Sequence, residues 1–400
     1  MKSQPSLAKG GLYLCVVSEH NLPELQACVN QQPQKLMLAA TPGFVDQAKR
    51  LAAMAKELLP ECRVQILEDP SFEGDTWQQA LRWIHSSVKP ALAAAAGYTP
   101  KILNINGGTK PMSMALATQL TWDAFEYQAF GNEFTERFKL IDQSLPSDNI
   151  YHQSLVTPIE AARLYGEVRE IENNLCNEHP ASANLAASLW EGLTQADEAL
   201  ETIFSALQSC WYDKPDKHQN SISFRLDAST LHWWQQLASL AGGNVELSGN
   251  VVTVPANRKL SRQANHWKKW VSGDWLERLA YEWVCQVLPT SKVARNISLQ
   301  TTESTHSGRE ADLLLLNKGR TQLVEIKADL PPHASTRVEH QFASLQDRFG
   351  KAQKVLLIGP QATRRLSETQ FESLQKRCQG YRIELTWDRS TLLKGLGLAK

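Results

Sequence analysis

The sequence predicts an α/β protein in three parts: a doubly wound parallel sheet, a helical and winged-helix-like middle segment, and a C-terminal α/β/α layer. Three observations predict it. Over residues 12–106, short apolar runs alternate with helical patterns, as in successive βαβ units. Residues 245–254 alternate around Gly249-Asn250, a hairpin signal that follows two amphipathic helical stretches. Over 310–327, two apolar runs flank Asn317-Lys318-Gly319-Arg320, a second turn signal.

Composition narrows the class. A chain of 400 residues, 42% hydrophobic and 21% charged, has the make-up of a soluble globular protein of two or three domains. We divide it at 1–145, 146–260 and 261–400. Lys plus Arg equals Asp plus Glu, 42 each, so any basic footprint for nucleic acid is local. The seven cysteines (15, 28, 62, 176, 210, 285 and 378) are scattered and form no Cys-x-x-Cys pair, which fits buried thiols in a reducing cytoplasm better than disulfides or zinc. The N-terminal apolar run is too short for a signal-peptide core or a membrane span, so no membrane partner is expected.

Strands are predicted at 12–17, 35–40, 63–67 and 101–106. Helices are predicted up to about 30, over 44–59, over 75–96 with a break at Pro90, and over 111–125. A further strand lies near 137–141, and 145–157 reads as a linker. A short helix covers 158–166, and amphipathic helices cover 196–210 and 229–241. Such helices followed by the 245–254 hairpin resemble a winged-helix module, either a DNA contact or a spacer. Arg258-Lys259, Arg262 and His266-Trp267-Lys268-Lys269-Trp270 form the densest basic and aromatic cluster. Trp267, Trp270 and Val271 fall at helical spacing, which points to core packing of the rings. The helix opening at Gly273-Asp274-Trp275-Leu276-Glu277 has the stripe Leu276, Leu279, Ala280, Trp283, Val284 and Val287, with Glu277 at its edge. Strands follow at 293–299, 354–358 and 382–386. Helices follow over 333–349, carrying Gln341 and Gln346, over 364–378 and at the C-terminus.

Two stretches carry chemistry. Asn106-Gly107-Gly108-Thr109-Lys110 joins a strand to a helix. Its glycines let backbone approach a ligand, and the helix N-terminus favours an anion. The Walker spacing is absent. In the 310–327 hairpin, Lys318-Gly319 as turn pair sets Asp312 opposite Glu325 and Glu310 opposite Lys327, all on one face. Opposed carboxylates repel, so a divalent cation is the natural compensation, with Lys327 placed to orient an attacking water. A surface Glu310–Lys327 salt bridge is the bland alternative.

Asp312, Glu325 and Lys327 in this register resemble the PD-(D/E)xK nuclease core, which holds magnesium or manganese for phosphodiester hydrolysis. The Gly-x-Trp-Leu-Glu start of the 273 helix is similar to the helix that supplies a further carboxylate there. That resemblance implies metal ligation by Glu277, Asp312, Glu325 and the carbonyl of Ile326, catalysis by Lys327, and a supporting role for Glu310. The strand–Asn-x-Gly-Gly-Thr-Lys–helix junction of a Rossmann-like sheet resembles a CARF domain. Together the two resemble the Can2/Card-type nucleases of type III CRISPR defence. This implies a cyclic oligoadenylate activator, usually cyclic tetra-adenylate, bound across a homodimer by Ser18, Glu19, Thr41 and Asn106 to Lys110. It also implies a DNA or RNA substrate. A rival reading is a non-catalytic regulator that senses through the first part and binds DNA through the middle one. A HEPN-type ribonuclease is disfavoured, because Arg225 to His232 runs from a strand pattern into a helix.

Overall fold

The computed structural model describes residues 10–69, 72, 74–129, 134–139, 148–151, 156–170, 175–212, 221–255, 260–300, 309–330 and 352–399. The protein is α/β, and its described residues form three sheets.

The first sheet is built from β1 (Leu12–Val16), β2 (Lys35–Ala40), β3 (Arg63–Glu68), β4 (Lys101–Asn104), β5 (Ala124–Tyr127), β6 (Phe134–Phe138) and β7 (Asp148–Tyr151). Their order is β3-β2-β1-β4-β5-β6-β7. The first five strands are parallel, and β6 and β7 are antiparallel additions. Side chains sort by parity, as a pleat requires. Tyr13, Cys15 and Val17 pack with α1 (Leu22–Gln31) and α2 (Val45–Leu58) on one face. Leu12, Leu14 and Val16 pack with α3 (Trp77–Trp83), α4 (Lys89–Ala94) and α5 (Lys110–Gln119) on the other. The expected break at Pro90 appears as a π turn, Ile84–Val88, between α3 and α4.

Two expectations change here. The helix foreseen over 111–125 stops at Gln119, where Leu120 turns extended, and its tail becomes β5. The stretch foreseen as linker contains β7, so the first sheet reaches beyond residue 145.

The middle segment holds α6 (Pro158–Arg163), β8 (Glu167–Glu170), α7 (Leu175–Glu178), α8 (Ser182–Thr194), α9 (Glu198–Tyr212), β9 (Ser221–Arg225), α10 (Leu231–Ser239), β10 (Glu246–Ser248) and β11 (Val251–Pro255). The last two form the expected hairpin, turning at Gly249 with φ +60°, and β9 joins them as a third strand. β8 instead pairs with the C-terminal sheet.

That third sheet comprises β12 (Val293–Gln300), β13 (Arg309–Asn317), β14 (Arg320–Lys327), β15 (Gln353–Ile358) and β16 (Ile383–Thr386), in the order β16-β15-β14-β13-β12-β8. The helices of this region are α11 (Arg262–Lys269), α12 (Trp275–Cys285), α13 (Pro360–Arg365), α14 (Glu368–Gly380) and α15 (Arg389–Gly395). Trp267, Trp270 and the α12 stripe share one core with Leu313, Leu315, Val324 and Ile326. Val287 leaves that stripe: it follows the end of α12 and is 42% exposed. The helix foreseen over 333–349, with Gln341 and Gln346, lies outside the described residues.

The segment around α6 joins the first sheet to the third. Ala161 and Leu164 share a core with α1, α2 and Leu316 of β13, whereas Ala162 packs with Ile297 and Leu299 of β12. Arg50 Nε donates to the Leu164 carbonyl at 2.9 Å, and Arg163 pairs with Glu57 at 2.8 Å.

Candidate functional site

Two sites follow from this frame. The first is the crevice where the strand order reverses, between β1 and β4, at the carboxyl ends of a parallel sheet. Ser18 and Glu19 follow β1, Thr41 follows β2, and Asn106 to Lys110 follow β4, so all lie at this edge. A Cβ on Gly107 would sit 1.8 Å from the Val16 carbonyl oxygen. One on Gly108, at φ +80°, would meet Val16 Cγ1 at 2.3 Å. Only glycine lets this loop lie against the end of β1.

Several polar groups here brace the loop. Asn106 Nδ2 donates to the Gln128 carbonyl at 2.5 Å, and its Oδ1 accepts the Gln128 N–H at 2.9 Å. Thr109 Oγ1 accepts from Met112 N at 3.4 Å, capping α5, and donates to the Gly74 carbonyl. The Thr109 hydroxyl is thus engaged in holding the loop. Asn21 Oδ1 accepts the Ser18 N–H at 2.9 Å and fixes the loop after β1. Glu19, Gly108 and Lys110 remain exposed.

Two residues here have no counterpart in the sequence reading. The His20 ring lies 6.3 Å from that of Tyr165, just beyond α6. Glu24, 1% exposed, sits beneath Gly107, whose Cβ would lie 3.1 Å from Glu24 Oε1. Glu24 Oε2 has no hydrogen-bond partner among the described residues, and burial pushes this carboxyl up to about 8. Apolar patterning could not flag Glu24, because it sits on an otherwise buried helix.

The second site is a cleft of about 420 Å³ between α11, the start of α12 and the end of β14, with Glu277 and Lys327 in its wall. The β13–β14 register is the one the turn dictates: Asn317 pairs with Arg320, and Leu313 with Val324. Lys318 and Gly319 both have positive φ, 49° and 68°, as a type I′ turn requires. The β13–β14 ladder runs as far as Leu313 and Val324. The carboxylate of Asp312 accepts the Ile326 N–H at 2.6 Å, and Lys327 pairs with Glu325. Asp312 and Glu325 are 7% and 1% exposed. Lys327 thus pairs with Glu325 and not with Glu310, the partner that the bland alternative gave it.

Burial and like charge dominate the electrostatics. Burial, then Asp312, push Glu325 up to about 8. Glu277 is raised by burial and by Asp312, Asp274 and Glu310. Glu310 is pushed up to about 7 by burial, Asp312 and Asp274, with Lys269 and Lys327 pulling it back. Burial raises Asp312 against the pull of Lys327 and of the Ile326 N–H. Burial alone would lower Lys327, but Asp312 and Glu325 outweigh it and raise it.

The charge of Asp312 therefore acts on both Glu277 and Glu325. Among the described residues no three of His, Cys, Asp or Glu stand close enough to enclose a cation as placed, so the cage expected from Glu277, Asp312 and Glu325 is not closed. The donor type still suits a hard divalent ion: carboxylate oxygens, largely buried, that raise one another's affinity for positive charge. Asp274 and Lys269 are additions to the set foreseen. Both stood in view, in the Gly-Asp-Trp-Leu-Glu run and in the basic cluster.

The chain as a whole was compared with known proteins. No protein-family model matches it, and no curated protein matches it. Among similar solved structures is Can2 from Sulfobacillus thermosulfidooxidans in complex with cyclic tetra-adenylate: TM-score 0.62, 17% identity, 96% of each chain covered. Another is protein VC1899 from Vibrio cholerae: TM-score 0.70, 13% identity, 97% of this chain and 96% of that one. A third is a type III CRISPR defence DNA nuclease activated by cyclic oligoadenylate: TM-score 0.52, 16% identity, 90% of this chain and 46% of that one. At these identities the likeness establishes a shared fold. Among the described residues no helix is long and apolar enough to cross a membrane.

Proposed function

We propose that this protein is a ligand-gated, metal-dependent nuclease of type III CRISPR defence. It would sense a cyclic oligoadenylate, cyclic tetra-adenylate first among them, in the crevice of the first sheet. It would hydrolyse phosphodiester bonds of DNA, RNA or both in the cleft at the third. The observation that carries this reading is the buried pair Asp312 and Glu325, with half-buried Lys327 beside them, at the open end of a hairpin whose register the turn sets. The shared fold with a protein solved on cyclic tetra-adenylate supports the choice of activator.

Asp312 and Glu325, with Glu277 from the opposite wall and the carbonyl of Ile326, would hold magnesium or manganese. The cation would supply Lewis acidity at the phosphoryl oxygen. Lys327, held as the ammonium by Asp312 and Glu325, would turn from Glu325 to position the attacking water. Glu310 acts on this set at longer range. In the crevice, the exposed Glu19, Gly108 and Lys110 would meet the ligand, Ser18 and Thr41 would border it, and Asn106 and Thr109 would keep the glycine loop in shape. A homodimer would complete that site. The ligand must bind the cutting arrangement more tightly than the resting one; equal affinity would switch nothing.

The test incubates the protein with Mn²⁺, cyclic tri-, tetra- or hexa-adenylate, and labelled single-stranded DNA, single-stranded RNA or plasmid. The expected result is ligand-dependent cleavage that Glu325→Ala abolishes, by at least ~1000-fold, with oligoadenylate binding intact. No product under any combination, together with metal-independent retention of duplex DNA, would favour the regulator instead.

A further inference from the structure

The cleft has a second wall that the proposed chemistry does not use. Asn265 and Lys269 lie one turn apart on α11, so they share a face, and both are exposed where they line the cleft. Their neighbour Lys268 is already committed: its ammonium lies 5.5 Å from the centroid of the Trp211 ring, and burial lowers it. Lys269 makes no ion pair or side-chain hydrogen bond among the described residues, and neither does the Asn265 side chain. The charge of Lys269 nevertheless reaches the acidic cluster, where it pulls Glu310 down. On its helical side, then, the cleft offers a cation and an amide donor, one turn apart, facing a set of carboxylates.

A phosphodiester chain entering this cleft meets carboxylates that repel it. It needs positive charge beside the point of cleavage to lie there. We propose that the Asn265–Lys269 face of α11 is a backbone subsite for a nucleic-acid strand. Lys269 pairs with a phosphate flanking the scissile one, and Asn265 donates a hydrogen bond to the same strand. This rests on the nuclease reading for what happens next, but not for the binding itself. Contacts of this kind position a strand without reading its sequence, so the subsite accepts any base.

The test is binding of labelled single-stranded DNA and RNA to the full chain in EDTA, by fluorescence anisotropy across a salt series. Lys269→Ala should weaken binding about fivefold. It should also flatten the slope of log K against log salt by about 0.7, one phosphate's share on a single strand. Lys269→Arg should restore the slope, and Lys268→Ala should leave it unchanged. Asn265→Ala should weaken binding with the slope kept, because an amide releases no counterion. A wild-type slope in Lys269→Ala, or no strand binding by the wild type, overturns the subsite. Failure to cleave with Mn²⁺ alongside a Lys269-dependent slope would remove the nuclease reading and leave the subsite standing.

Discussion

Glu126 and Glu325 are both carboxylates on interior strands, 0% and 1% exposed, and their surroundings are opposite in kind. Glu126 is met by donors. Tyr13 OH reaches it at 2.6 Å, Gln31 Nε2 at 2.8 Å, and Arg137 at 2.9 and 2.7 Å through Nε and Nη2. Asn104 Nδ2 donates in turn to the Tyr13 hydroxyl at 3.0 Å. Burial pushes Glu126 up, and Arg137 and Tyr13 pull it back. Glu325 has Lys327 beside it, but Asp312 and Glu310 push it the same way as burial does. In the first sheet the chain completes its own buried charge. In the third it gathers like charges, an arrangement that weakens the fold and suits a cation from outside.

The largest stability effect should come from breaking the completed network. Glu126→Ala strands the mostly buried guanidinium of Arg137 and two neutral donors, so it should cost ~3–5 kcal/mol. The measurement is the urea midpoint of the first unfolding transition. A loss below ~1 kcal/mol would erase the contrast with the third sheet.

Glu24 sharpens the comparison, because among the described residues its carboxyl is raised by burial with no donor at Oε2 and no carboxylate acting on it. Its carboxyl is near 8 in the fold, against about 4.5 for the unfolded chain. Between those values the folded state binds the extra proton, so its contribution to stability is full below about 4.5 and declines as pH rises towards 8. The slope is at most ~1.4 kcal/mol per pH unit. Cys15 and Tyr165, which feel its charge, are themselves pushed up by burial and stay neutral across this window. Glu24→Gln should therefore flatten the decline in urea midpoint from pH 5 to 8. Parallel curves for the two proteins would show that Glu24 keeps no proton in the fold.

What the sequence showed depended on how local the cause was. The β13–β14 register follows from Lys318-Gly319, two adjacent residues that force a type I′ turn, and with it the face shared by 312 and 325. The β1, β2 and β3 runs are apolar enough to read directly. β8 and β7 were not legible: Glu-Val-Arg-Glu and Asp-Asn-Ile-Tyr are short and polar, and they become strands only by pairing with β12 and β6. Which carboxylate Lys327 pairs with was not legible, for a related reason. Period-two alternation assigns faces, but it does not say which of two carboxylates on that face an ammonium reaches. Glu126 and Glu24 escaped because their neighbours come from distant elements: Arg137 from β6, Gln31 from α1, Gly107 from the loop after β4.

The smallest stability effect, and the most telling for the comparison, belongs to Glu277. Three carboxylates, those of Asp312, Asp274 and Glu310, act on it in the direction of burial, and Lys327 opposes them. Removing its charge while keeping its shape relieves repulsion and leaves no cation stranded, because Lys327 keeps Glu325. Glu277→Gln should therefore raise the urea midpoint of the metal-free protein, by about 0.5–1 kcal/mol, and on the proposed nuclease reading it should lower cleavage with Mn²⁺. The gain should vanish when the comparison is repeated with Mn²⁺, since the cation neutralises the same repulsion in the parent. Equal losses with and without metal would mean that Glu277 serves packing and holds no cation.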